Sequence, residues 1–271
     1  MRTTTPPAIA ATVVIVGALC GAGVPAIVAA APPAATPSST AIVTLRGRPQ
    51  TLHLYGSRGS GVPILVSSGD GGWIHLAPEV AGALAGRGFF VVGFDTLAYL
   101  QDFTSGSTTL ATRDEPADYR TLIDFAARGA ATKPILVGVS EGAGLSVLAS
   151  TDPTTRQSIA GVIALGLPRL TELGWRWKDS LTYLTHRVPD EPTFRTTDVI
   201  GQVGSTPLAV IHSSGDEFTS VEDVRAMMGS AAQPKMLSIV QASNHRFSGN
   251  LPALHERLLE AIDWIRQQET R

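Results

Sequence analysis

Residues 133–144, KPILVGVSEGAG, bring a short apolar run to an abrupt end in Gly138-Val139-Ser140-Glu141-Gly142. Ile135, Leu136 and Val137 suit a buried strand, and Ala143, Leu145, Val147, Leu148 and Ala149 continue as a helix. The chain must therefore pass from strand to helix at the serine. The G-x-S-x-G pattern has a mechanical meaning: the serine sits on a strained backbone at the tip of the turn, with its Oγ exposed above the sheet. Gly138 and Gly142 leave room for that turn. The pentapeptide alone is weak, because a chain with 27 glycines can match it by chance. The flanking strand and helix give it weight as a nucleophile elbow.

The rest of the chain repeats this alternation. Two strands near 41–47 and 51–57, joined by Gly47-Arg48-Pro49, read as an antiparallel edge hairpin. Buried strands follow at 62–68 (VPILVSS), 89–95 (FFVVGFD) and 160–168, then in PLAVIHS and at 236–243. Leu76, Val80 and Leu84 recur every four residues and predict a helix over 76–86. Further helices are expected near 115–128, 221–228 and 252–266. Strands alternating with helices predict an α/β fold, a mainly parallel, doubly wound sheet of about eight strands. Periodicity fails over 169–206, after the sixth strand. This insert carries Trp175, Trp177 and Tyr183 and falls where such folds carry a lid.

Residues 1–30 read as an export signal: Arg2, a nearly uncharged apolar run, and Val28-Ala29-Ala30 for cleavage after Ala30. The run is also long enough to stay as an anchor that would hold the protein at a membrane surface. Residues 31–40 form a disordered Pro/Ala/Ser/Thr spacer, leaving 41–271 as one domain. Cys20, the only cysteine, lies in the leader, so the mature domain suits a periplasmic or secreted setting with neither disulfide nor free thiol. A formal net charge of −2 offers no basic surface for nucleic acid.

The candidate chemistry follows the chain order nucleophile, acid, histidine. Ser140 is the expected nucleophile. Asp216 follows a strand end and closes a Ser-Gly-Asp turn; Glu217 beside it is the competing acid. His245 lies in the loop after the last strand and is the expected base, whereas His53 and His212 sit on strands, His255 on the last helix, His75 at a helix entry and His186 in the insert. The loop GDGGW, 69–73, lacks the Gly-Lys-Ser/Thr of a phosphate-binding loop, and Ile74 breaks a dinucleotide pattern. Its other use is to offer N–H groups to an oxyanion, so the backbone of Asp70 and of Glu141 is expected to form that hole. Trp73 and Tyr99 are expected to line the substrate site, and Asp95 is expected either to brace the loop above the sheet or to touch substrate. No metal-ligand spacing is present, and no cofactor is expected.

SSGDGGW (67–73), GFDTLAYL (93–100), GVSEGAG (138–144), DEF (216–218) and NHRF (244–247) together resemble the VirJ/AcvB family of exported bacterial α/β-hydrolase-like proteins, over residues 62–265. The resemblance implies an α/β-hydrolase fold and a periplasmic serine hydrolase, with the triad on Ser140, Asp216 and His245. It also implies a lipid or small-molecule ester as substrate, since some members hydrolyse the aminoacyl ester of lysyl-phosphatidylglycerol and others are linked to virulence protein export. The family elbow is aromatic-rich, roughly GYSFGAD, where this chain has Val139, Glu141 and Gly144. A second reading is a non-catalytic binding or export-accessory protein that keeps the fold.

Overall fold

The computed structural model describes residues 37–59, 61–176 and 191–269. The expected leader, most of the spacer and the middle of the insert, with Trp177, Tyr183 and His186, lie outside these residues. The spacer is shorter than expected: Ser39 already pairs with Leu54 at the start of the first strand.

Eight strands form one sheet in the order β1-β2-β4-β3-β5-β6-β9-β10. Strands β1 (Ser39–Leu45) and β2 (Arg48–Tyr55) make the expected antiparallel hairpin. From β4 (Phe90–Phe94) inward every pairing is parallel, through β3 (Pro63–Ser67), β5 (Ile135–Val139), β6 (Gly161–Leu165), β9 (Leu208–Ser213) and β10 (Lys235–Val240). The central strands are mostly apolar because both faces are covered. Successive residues alternate between two cores: Leu65, Leu136 and Val210 face one, Ile64, Val66, Val137 and Ile211 the other.

Helices α1 (Leu76–Ala85) and α8 (Leu251–Glu269) close the second of these cores. Helices α3 (Glu115–Ala127), α4 (Glu141–Ala149) and α7 (Val221–Ser230) close the first. Three short helices, α2 (Thr96–Phe103), α5 (Pro153–Ser158) and α6 (Thr196–Val199), are not evident from periodicity. Asp95 and Asp152 start the first two by accepting the N–H of Ala98 and Thr155. Within the insert, β7 (Leu170–Glu172) pairs antiparallel with β8 (Thr193–Arg195), and Arg176 forms an ion pair with Glu191. The insert is therefore clasped at its base.

Candidate active site

Ser140 is the residue between β5 and α4, with φ 53° and ψ −119°. This is left-handed backbone that a serine adopts only when its surroundings impose it. Its N–H donates to Leu165 O on β6 at 2.9 Å, which ties the tip of the turn to the neighbouring strand. The helix can start there only because Gly142 has no side chain: a Cβ would fall 2.4 Å from Ser68 O. Gly69 approaches from the other side, where a Cβ would lie 3.2 Å from Ser140 Cβ. The loop after β3 thus meets the serine directly.

Asp216 and His245 arrive from β9 and β10 at the same C-terminal edge of the sheet, where parallel α/β folds gather reactive loops. His245 Nδ1 lies 2.6 Å from Asp216 Oδ2. The other carboxylate oxygen accepts the N–H of Phe218 at 2.9 Å and of Thr219 at 3.0 Å. Burial pushes the Asp216 carboxyl up, but the His245 hydrogen bond and charge and the two N–H groups outweigh it, and its pKa falls below the ordinary value. The carboxyl therefore favours its ionised form and is held by three hydrogen bonds. Glu217 instead accepts the backbone N–H of His245 at 2.7 Å, so the two adjacent acids divide ring and backbone between them. Just after β6, Gly166 (φ 60°) makes way for the imidazole: a Cβ there would fall 2.6 Å from His245 Cε1.

Behind this pair lies a residue with no sequence signal of function. His212 on β9 is fully buried, its Nε2 sits 2.9 Å from Thr219 O, and its Nδ1 is 3.8 Å from Asp216 Oδ2. Burial lowers its pKa against the pull of Asp216, and the neutral ring holds the turn that presents the acid.

Ser140 and His245 line one cavity of about 610 Å³, together with Asp70, Glu141, Arg169, Glu172, Glu217 and Arg246. Such a volume suits a small-molecule site. A groove of about 680 Å³ at the opposite, N-terminal edge of the sheet, lined by Lys133, Pro207 and Pro234, holds none of the candidate residues. Within the first cavity the Ser140 hydroxyl donates to Glu141 Oε2 at 2.8 Å. Among the described residues no hydrogen bond joins Ser140 to His245. Glu172 reaches the site because β7 packs on the start of α4, where Gly144 leaves space for Thr171. Burial, with the charges of Asp70 and Glu172 adding, pushes the Glu141 carboxyl well above the usual carboxylate range.

Three residues expected at the substrate lie elsewhere. Trp73 turns away from the cavity, stacks on His53 with ring centroids 4.9 Å apart, donates from Nε1 to Tyr55 OH at 3.2 Å, and fills the space over Gly93. Asp95 caps α2. Tyr99 is fully buried and donates to Asp118 Oδ2 at 2.7 Å. None of the three lines the cavity, and each side chain meets a protein partner instead. Asp70 and Glu141, expected at the oxyanion hole, both line the cavity beside Ser140.

The fold has many known counterparts. An α/β hydrolase, GrgF from Penicillium sp. sh18, is similar with a TM-score of 0.64 at 13% identity, over 86% of this chain and 99% of that one. Est1E from Butyrivibrio proteoclasticus gives 0.62 at 14%, over 86% and 100%. A membrane phospholipase A described as a bacterial virulence factor gives 0.59 at 13%, over 84% and 86%. At such identities the likeness establishes the α/β-hydrolase fold. No curated protein matches this chain in sequence. The profile of the bacterial virulence protein (VirJ) family matches residues 62–266, most of the chain, and the chain belongs to that family.

Proposed function

We propose that this protein is a serine hydrolase that cleaves a carboxylic ester through an acyl-enzyme. The observation that carries the reading is the 2.6 Å contact between His245 Nδ1 and Asp216 at the wall of the cavity that holds the strained Ser140. Nδ1–H donates to the carboxylate, which leaves Nε2 free as a base. Nε2 takes the hydroxyl proton as Ser140 Oγ attacks the ester carbon; the alcohol leaves with that proton, and water repeats the sequence on the acyl-enzyme. Oxyanion donors are available at Asp70, in the loop after β3, and at Glu141, in the first turn of α4, where N–H groups lack intrahelical carbonyls.

The cavity also favours a kind of ester. Asp70, Glu141, Glu172 and Glu217 face it against Arg169 and Arg246, and Ile74 and Phe218, 52% and 48% exposed, stand at its rim. Carboxyl groups beside the nucleophile suit a cationic acyl group, and an apolar rim suits a lipid, so an aminoacyl-phospholipid or related ester is the preferred substrate. Such a substrate lies at a membrane surface, which fits an exported protein whose leader is cleaved or kept as an anchor. No helix among the described residues is long and apolar enough to cross a membrane.

One observation favours a second reading, a non-catalytic binding or export-accessory protein: the Ser140 hydroxyl is given to Glu141 and not to His245. Labelling with a fluorophosphonate decides between the two. The serine hydrolase reading expects stoichiometric labelling that Ser140→Ala and His245→Ala both abolish. A folded wild-type protein that takes no label would leave the binding reading in its place.

A further inference from the structure

Glu141 does something that the attack of a serine on an ester does not require. Its Oε2 sits 2.8 Å from the nucleophile's Oγ, on a side chain only 9% exposed. A serine hydroxyl has one proton to donate. While that proton is directed at Glu141 it is not directed at His245, and the serine is not being activated.

The strength of this hold depends on the carboxyl's charge. A hydroxyl donates to a neutral carboxyl oxygen about half as strongly as to a carboxylate. Neutral Glu141 therefore releases Ser140 readily, whereas ionised Glu141 keeps it and adds a negative charge beside the place where the oxyanion must form. Around it stand Asp70 from the loop after β3, Glu172 on β7, and His245 from the loop after β10, with His75, Arg169 and Glu217 further along the same cavity. Two neighbouring carboxylates and burial oppose a third charge at this point, and its carboxyl is indeed pushed well up.

On the reading of this chain as a serine hydrolase, we propose that Glu141 is a positioning residue that locks the nucleophile by its own ionisation: neutral Glu141 yields the Ser140 hydroxyl to His245, and ionised Glu141 withholds it. The step is a proton equilibrium. Glu141 loses its proton to solvent as pH rises, and the Ser140 O–H bond stays intact, pointed at the carboxylate. Nothing is oxidised and no covalent bond forms.

The rate of fluorophosphonate labelling of the full-length protein between pH 6 and 10 tests this. Where Glu141 ionises, the wild-type rate should fall with rising pH, approaching about tenfold per pH unit above a single midpoint, as one ionisation requires; wild type that labels with no fall across this range would overturn the lock. Glu141→Gln imitates the neutral acid at every pH, and its alkaline fall should disappear. Glu172→Gln removes a neighbouring carboxyl whose negative charge opposes the ionisation of Glu141, so its midpoint should move to lower pH. An alkaline fall in Glu141→Gln that matches wild type would overturn the lock, as would a midpoint unmoved in Glu172→Gln. Should Glu141→Gln not fold, the Glu172→Gln midpoint decides. Wild type that takes no label at any pH would remove the hydrolase reading itself, a different result from labelling with the wrong pH profile.

Discussion

His245 Nδ1 lies 2.6 Å from Asp216 Oδ2, whereas the adjacent Glu217 accepts the backbone N–H of His245, at 2.7 Å. One acid sets the tautomer of the imidazole and the other sets the path of its loop. Asp216→Asn would offer the ring an amide that can donate as well as accept, and so allow the wrong tautomer. Ester turnover is expected to fall about 10³–10⁴-fold. Glu217→Gln keeps an oxygen for the N–H and should cost less than about tenfold. Steady-state kinetics on a chromogenic ester would show the difference; equal losses would mean that the two acids share the role.

Gly166 separates catalysis from stability. Its φ of 60° and its contact with the imidazole both resist a side chain, and the atoms a Cβ would strike belong to His245. Gly166→Ala should displace the imidazole by a fraction of an ångström or more, and a misplacement of about 1 Å costs about 10²-fold in rate. The β6 ladder is untouched, so the thermal midpoint should drop by only a few degrees. A variant that unfolds outright would show that the glycine serves the sheet instead.

The parts of this arrangement fixed by local sequence were legible without coordinates. The elbow at Ser140, the alternation of apolar runs with helices, and the placing of Asp216 and His245 after strand ends all follow from period and chain order. What was not legible depends on side chains meeting across the sheet. Trp73 looked like a substrate wall because it ends a glycine-rich loop, yet its partners are His53 and Tyr55 on β2, and nothing local links a strand-face histidine to that tryptophan. Glu172 could not be assigned to the site because it lies in an aperiodic insert, and it is β7 packing beside Gly144 that delivers it. Helix α2 was missed because it is short and follows β4 at once; Asp95 at its N-cap was the available signal.

Trp73 gives a direct test of its place. A residue that lined the substrate would change selectivity when removed, whereas one packed on His53 and over Gly93 should change stability. Trp73→Ala is expected to cost about 3 kcal/mol or more, read from urea unfolding, while the ratio of rates for short and long acyl esters stays within about twofold. A shifted ratio at unchanged stability would return Trp73 to the substrate.

The carboxyl-rich wall predicts a preference. Asp70 and Glu172 stand with Glu141 in the cavity beside Ser140, and a cationic acyl group there would gain a charge-assisted hydrogen bond of about 1.5–3 kcal/mol. Wild type should therefore turn over a lysyl ester at least about tenfold faster than an uncharged acyl ester of similar length. Asp70→Asn should narrow that gap. The same preference in wild type and in Asp70→Asn would show that the acid does not meet the acyl group.

Glu115 carries the last consequence, and it concerns stability. It begins α3 fully buried, and among the described residues neither carboxyl oxygen has a hydrogen-bond partner. Burial, with the charge of Asp118 adding, raises its pKa well above the ordinary value. The folded protein therefore keeps a proton that the unfolded chain releases above about pH 4.3. With more protons bound in the folded state, stability must fall as pH rises from there towards the folded value, at about 1.4 kcal/mol per pH unit. Glu115→Gln has no such slope. Urea unfolding at pH 5 and pH 7 should find the variant gaining on wild type between the two. A gap that does not change with pH would mean that Glu115 ionises within the fold as it does in the unfolded chain.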